Sequence, residues 1–357
     1  MSIKIRLGCS RLGSELVWDN APNSHVYISG QSGQGKSYFL KYSISQLPQQ
    51  GVHCIVFDYS GDFQNASDWA SQLFQTACKC LDVRTQVDID PFRHLRINRS
   101  YTECNYDTAG RIAEAITTTY QIRGTLQQIG LRNLLREHLD SGKAKSGFPG
   151  LLHRAKQDRN LARVMGPSLM RLEDLSHLLP RSGTFDWGLD KPGITILSFD
   201  SLPNVSAQTI MAQFLLFDIW SEKLRSAQAS CPVVVVLDEC QRFPFTRSSI
   251  SSHILREGRK YQFSGWFASQ WMDDKNAIQA LNQAALQAYF FPGNEQVKPL
   301  AKRIGHNVKS TGDCEKLIRS LHIGEFLYID RCGHPVVACV PGDLAANRLI
   351  PGMGNAN

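Results

Sequence analysis

Two hydrophobic rhythms alternate along this chain. Short, mostly apolar runs recur at residues 25–29, 52–57, 194–199, 232–237 and 264–269. Runs of that length, rich in β-branched and aromatic side chains, read as strands buried on both faces, the habit of a parallel sheet. Between them, apolar residues recur at helical spacing after position 38, over 206–225 and over 248–261. This alternation predicts an α/β fold with a mainly parallel sheet flanked by helices. Residues 3–7 and 15–18 read as two further strands forming a small flanking sheet, and the tail adds strands near 288–291, 325–329 and 335–339.

One stretch breaks the alternation. From residue 102 to about 178 the pattern is helical, with Ile112, Ala115 and Ile116 on one face, and Leu126, Ile129 and Leu134 on another. Glycine and proline interrupt it at 147–150 and 166–167. The expected division is therefore an α/β core in two parts, 1–100 and 181–350, a helical insertion at 101–180 continuous with that core, and a disordered tail at 351–357.

Composition narrows the class. An apolar content of 42% is ordinary for a globular protein. No run reaches the roughly eighteen apolar residues of a membrane span, and the N-terminus carries no apolar signal core. These features predict a cytoplasmic protein without direct membrane insertion. The ten cysteines are scattered without a Cys-x-x-Cys pair, so they read as small buried thiols rather than as disulfides or metal ligands. The net charge of +7 is localised. Residues 91–163 hold thirteen Lys and Arg against six Asp and Glu, and the rest of the chain holds twenty-six of each. The insertion thus carries the whole excess, either as a solvated helical face or as a surface for DNA.

The chemistry lies where the strands end. Gly30-Gln31-Ser32-Gly33-Gln34-Gly35-Lys36-Ser37, followed by Tyr38, has P-loop spacing between an apolar strand and a helix start. Glycines at 30, 33 and 35 let successive N–H groups converge on a phosphate, and the helix adds its positive end. Lys36 would reach the outer phosphates of ATP, and Ser37 would bind Mg²⁺. The valine run at 233–236 leads through Leu237 to Asp238 and Glu239, a Walker B arrangement. There Asp238 would hold Mg²⁺, and Glu239 would orient and polarise the attacking water. Asp58 and Asp62 follow another strand, so either would assist the metal or water, or Asp62 would simply cap a turn. Gln270 ends the strand at 264–269 as a γ-phosphate sensor or a plain cap. Arg256 and Arg259 lie on the helix before that strand.

Four blocks of the chain resemble the FtsK–HerA superfamily of P-loop ATPases: residues 25–37, Phe57-Asp58-Tyr59-Ser60-Gly61-Asp62-Phe63, Val235-Val236-Leu237-Asp238-Glu239, and Leu255-Arg256-Glu257-Gly258-Arg259-Lys260-Tyr261 with residues 267–270. The resemblance spans most of the chain apart from the insertion. It implies a homo-oligomeric, hexameric ring with ATP at subunit interfaces and an arginine finger, Arg259 or Arg256, supplied to the neighbour. Position 262 is Gln where many relatives carry Gly, a departure that bears on the geometry of that loop. The additional barrel, membrane-spanning and sequence-reading domains of several relatives are not evident here.

The implied activity is ATP hydrolysis coupled to translocation of double-stranded DNA, within a mobile-element, conjugation or defence system. Two alternatives stand beside it. One is a secretion-apparatus motor for protein or single-stranded DNA, working with a membrane complex. The other is an ATP-gated platform recruiting a nuclease or another effector. Single strands favour aromatic platforms, and the insertion offers few aromatics beyond Tyr101, Tyr106, Tyr120 and Phe148. Arg242 and Arg247, after the Walker B acids, are the second place to seek polymer contacts.

Overall fold

The valine run at 233–236 shows how the sheet is buried. Val233, Val235 and Leu237 enter one apolar cluster, while Val234 and Val236 enter a second cluster on the opposite face. A strand without polar alternation is thereby covered on both sides, as the sequence pattern requires. The computed structural model describes residues 3–19, 23–64, 78–159, 162–163, 166, 168–179, 183–226, 231–305, 311–329 and 334–340. The tail at 351–357 lies outside the described residues.

The strands are β1 (Lys4–Ser10), β2 (Glu15–Asp19), β3 (Val26–Ser29), β4 (His53–Asp58), β5 (Cys78–Asp82), β6 (Gly193–Ser198), β7 (Val233–Leu237), β8 (Phe263–Ser269), β9 (Leu286–Phe290), β10 (Glu325–Ile329) and β11 (Pro335–Cys339). They form one eleven-stranded sheet in the order β2-β1-β11-β10-β9-β3-β8-β7-β4-β6-β5. From β9 to β5 every neighbouring pair is parallel, and from β9 outward to β2 every pair is antiparallel. The small separate sheet expected from residues 3–18 is therefore corrected. β1 pairs with β11 through Cys9 and Cys339, so the N-terminal hairpin covers an otherwise open edge of the main sheet. β5, which the apolar pattern does not reveal, is the other edge strand, mostly solvent-facing and paired with β6.

Helix α1 (Lys36–Ser45) lays Phe39, Leu40 and Ile44 on the second cluster. The opposite face carries α2 (Asn105–Thr119), α3 (Thr125–Asp140), α4 (Gly147–Gln157), α5 (Ser168–Leu178) and the long α6 (Val205–Arg225). The insertion shares its apolar cluster with the sheet: Phe92 meets Phe148 at 4.9 Å, and Phe148 meets Phe214 of α6 at 6.0 Å. Ile112, Ala115 and Ile116 are buried as the helical spacing predicts. The face assigned to α3 is wrong in part. Leu131, Leu134, Leu135 and Leu139 form its buried stripe, and Leu126 and Ile129, on the other side of the helix, are 74% and 52% exposed. Among the described residues no helix is long and apolar enough to cross a membrane.

Much of the insertion's positive charge is structural. Arg111 is buried, pairs with Glu103 at 2.8 Å and donates to the carbonyls of Pro91 and Arg93. Arg93 pairs with Asp218 of α6, whose other oxygen accepts from Trp187 Nε1. Arg154 and Lys156 pair with Glu137 and Glu173. Arg136, Lys143 and Lys145 are exposed and have no ion pair among the described residues.

Candidate nucleotide site

Three adjacent strand ends deliver the site. β3 runs into the glycine loop, β8 into Gln270, and β7 into Asp238 and Glu239. At about 4.8 Å between neighbours, the ends of β3 and β7 stand roughly 10 Å apart. The loop is fixed at its start by Gly30 N–H donating to Ser269 O and Gln31 N–H to Phe291 O. It is fixed at its far side by Gly324 N–H donating to Gln34 O. Gly35 sits at φ +103° as the N-cap of α1, and a Cβ there would also crowd Gly324 Cα at 3.3 Å. Only glycine opens the loop into the helix at this point, so that the amino end of α1 faces the loop.

Lys36 is buried, its Nζ donating to Gln31 O at 3.1 Å. Burial holds its pKa below the ordinary lysine value, opposed by Asp238, Glu239 and Asp62. Ser37 Oγ donates to Asp62 at 2.8 Å. The two roles left open for the acids after β4 now separate. Asp58 is the turn former: it is buried and accepts from the N–H groups of Ser60, Gly61 and Phe63, and burial raises its pKa. The turn so held carries Asp62 to the P-loop hydroxyl.

The acids outnumber the lysine. Burial, then Glu239 and Asp62, push Asp238 up to about 7, with Lys36 acting in the opposite sense. Asp238, Glu239 and Asp62 all act on the single ammonium of Lys36, which leaves this end of the sheet short of positive charge. The oxygens of Ser37 and Asp238 are hard donors that suit Mg²⁺ and would hold it. Glu239 stands at φ +59°, a left-handed conformation that costs a non-glycine residue about 1–2 kcal/mol. Its carboxylate is held twice: Gln270 Nε2 donates to Oε1 at 3.1 Å, and Gln241 Nε2 donates to Oε2. The sequence points to Gln270 but not to Gln241, whose place two residues beyond Glu239 is the available signal. Tyr38 is half-buried against the second cluster.

The arginines are elsewhere. Arg256 ends helix α7 (Ile250–Glu257), and Arg259 lies in the 3₁₀ turn Gly258–Tyr261 that precedes β8. Both are exposed, and Arg256 donates to Arg247 O at 2.5 Å. The length of β8, seven residues or about 20 Å, separates that turn from Gln270 and the P-loop of the same chain. Gly258 allows the turn to close, since a Cβ there would lie 2.3 Å from Phe263 O. Gln262, the departure noted in the sequence, adopts the left-handed conformation itself at φ +56°. The loop thus keeps the backbone that glycine would favour.

A strand–glycine loop–helix at a topological switch, facing two acids at the end of a buried strand, defines a P-loop ATPase of the FtsK–HerA type. The chain belongs to the family described as the central domain of the helicase HerA, whose profile matches residues 16–219. None of the curated proteins matches it. Among solved structures it is similar to VirB4 of Thermoanaerobacter pseudethanolicus, at 14% identity and a TM-score of 0.74, covering 96% of this chain and 98% of that one. It is also similar to the bacterial conjugative coupling protein TrwB, at 13% identity and a TM-score of 0.61, covering 95% and 93%. TrwB in complex with ADP and Mg²⁺ gives 12%, 0.62, 95% and 94%. These likenesses establish the shared fold across nearly the whole chain.

Proposed function

We propose that this ATPase is the subunit of a homo-oligomeric ring, a hexamer, that moves double-stranded DNA at the expense of Mg-ATP. The observation that carries the reading is the division of charged groups between opposite ends of the parallel sheet. The loop and acids stand at one end and an exposed arginine turn at the other, a separation that supports a role for the turn in a neighbouring subunit. Bound Mg-ATP supplies the phosphoryl group; Lys36 and the N–H groups of residues 33–37 would bind its phosphates, and Ser37 and Asp238 its cation. Glu239 then orients the attacking water and takes its proton, with Gln270 fixing the carboxylate. Arg259, or Arg256 as second choice, neutralises charge developing on the phosphates of the adjacent chain.

The exposed Arg136, Lys143 and Lys145 make the insertion, residues 101–180, the unit that meets DNA phosphates, without sequence preference. The likeness to a conjugative coupling protein supports a place in conjugation, another mobile element or defence, in the cytoplasm. A second reading, single-strand handling within a secretion apparatus, is favoured by exposed Tyr106 with the Arg132 guanidinium 4.2 Å above its ring. A third, an ATP-gated platform for an effector protein, requires no polymer at all. ATP turnover with duplex DNA, with single strands, with unfolded polypeptide and alone tests all three. Duplex DNA is expected to stimulate most, and equal rates in every arm would overturn the translocase reading.

A further inference from the structure

Glu239 is tied by two glutamines of different standing. Gln270 directly follows Ser269, the last residue of β8. Gln241 is exposed and lies in the 3₁₀ turn Cys240–Arg242, beyond the end of β7. Its amide occupies lone pairs on the oxygen opposite the one that Gln270 holds, and those lone pairs are what a catalytic base uses to receive the proton of water. Gln270 positions the carboxylate; Gln241 competes for it.

The segment that carries Gln241 runs from the catalytic acid to the insertion. Arg242, the next residue, donates to Gln208 Oε1 of α6 at 2.6 Å and lies 5.0 Å above the Tyr59 ring. Thr246 Oγ1 donates to Glu114 of α2 at 3.1 Å, and Ser248 Oγ donates to the same carboxylate. Between this segment, the start of α6 and the α2–α3 connection lies an open groove of about 830 Å³. Arg123, Gln128, Thr209, Gln213 and Arg242 line it. Its carboxylate, Asp274, already caps the helix Lys275–Leu281 by accepting from Ala277 N–H at 2.7 Å. Two guanidinium groups among neutral hydrogen-bonding side chains suit a phosphodiester backbone. The phenylalanines at the rim, Phe243 and Phe245, are buried rather than presented to bases.

We propose that Gln241 is a brake on Glu239, released when a phosphodiester backbone occupies this groove and draws Arg242 away from Gln208. Gln241 and Arg242 share one short turn, so a displacement of either moves both. The identity of the occupant rests on the DNA reading above, whereas the brake itself does not.

The test compares polymer-free and duplex-stimulated ATP turnover in the full chain and in Gln241→Ala. The variant is expected to raise polymer-free kcat about tenfold, the scale of one hydrogen bond to a charged group, with KM for ATP unchanged and little further gain from duplex DNA. Damage to the fold would lower turnover, so a gain is specific to the brake. A polymer-free kcat equal to or below that of the parent overturns it. Raised basal turnover in the variant, in a protein whose parent responds to no DNA, would uphold the brake and remove the phosphodiester. Stimulation of the parent by unfolded polypeptide but not by DNA would also remove it. Arg123→Glu is expected to weaken duplex binding about tenfold at low salt; unchanged affinity would overturn the groove.

Discussion

The two ends of the parallel sheet solve opposite electrostatic problems. At the carboxyl ends, Lys36 and Asp238 are buried beside Asp62 and Glu239, and Asp238 is pushed up to about 7 by burial first and by the two neighbouring acids second. At the amino ends, Arg256 at the end of α7 and Arg259 in the 3₁₀ turn that follows it stand in solvent. One end lacks positive charge, and the other holds guanidinium groups that no acid of the nucleotide site reaches. The sheet is the spacer between them. In the proposed ring these two ends would meet across neighbouring subunits.

The largest expected effect comes from breaking that complementarity. Arg259→Ala is expected to lower ATP turnover by about 10³-fold or more, the usual scale for an arginine finger, while nucleotide affinity and thermal stability hold. Mixing Arg259→Ala with Lys36→Ala subunits should restore part of the activity, because some interfaces then join an intact loop to an intact arginine. Sedimentation with and without ATP checks that mixed assemblies form. Mixed assemblies with no turnover would show that each chain is self-sufficient or that the arginine lies elsewhere.

Within the acidic end, the two key residues should fail differently. Glu239→Gln keeps the shape and removes the base, so turnover is expected to fall by about 10²-fold or more while ATP still binds. Lys36→Ala removes a phosphate contact, so affinity should fall together with turnover. Titration of nucleotide affinity alongside steady-state hydrolysis separates them. Ordinary turnover in Glu239→Gln would take that residue out of the mechanism.

How far this contrast was legible in the sequence depends on whether local pattern carried it. The strand ends bearing Lys36, Asp238 and Gln270 were legible because apolar runs and glycine spacing are short-range signals, and the same signals identified the α/β class. The role of Asp58 was not, because three backbone N–H groups converging on a carboxylate appear only once the turn at 60–63 has closed. Leu126 and Ile129 deceived for a related reason. Helical spacing identifies a stripe but does not say which of two apolar stripes meets the sheet. Most instructive is the insertion's charge: thirteen basic residues in the count include Arg93 and Arg111, which hold buried partners and offer nothing to a ligand.

The amino end carries its own pH sensor of integrity. His25 lies between β3 and the arginine turn, with Nδ1 accepting from Gly265 N–H at 3.0 Å and Cε1 located 3.2 Å from where a Cβ on Gly258 would stand. Burial lowers its pKa from 6.5 to about 4, so the neutral ring belongs to the folded state. A depressed folded pKa gives stability that is complete above 6.5 and is lost as pH falls toward 4, about 3 kcal/mol across the window. Asp238, raised in the folded state, contributes in the opposite sense, so the comparison must be made between variants. His25→Asn retains an acceptor without a titrating ring and is expected to flatten the acid slope of stability between pH 6.5 and 4 in chemical denaturation. Parallel slopes for parent and variant would show that His25 does not set it.

The smallest effect sharpens the comparison at the insertion, where charge is exposed but its use is not fixed by any partner. If Arg136, Lys143 and Lys145 contact DNA phosphates, reversing them should weaken binding by a similar factor for every duplex sequence. Each contact removed also releases one fewer counterion, so the slope of log affinity against log salt should flatten by about 0.9 per phosphate contact. Reversing Arg93 or Arg111 would be an unsound control, since both are paired in the interior and their loss strikes the fold. Lys156, exposed on α4 of the same insertion and already paired with Glu173 at 3.0 Å, is the suitable one: Lys156→Glu should leave the slope nearly unchanged. A slope that stays constant when the three unpaired residues are reversed, with the fold intact, would return them to the status of solvated surface. It would also shift the polymer contacts to the groove lined by Arg123 and Arg242, where the same salt titration can be repeated.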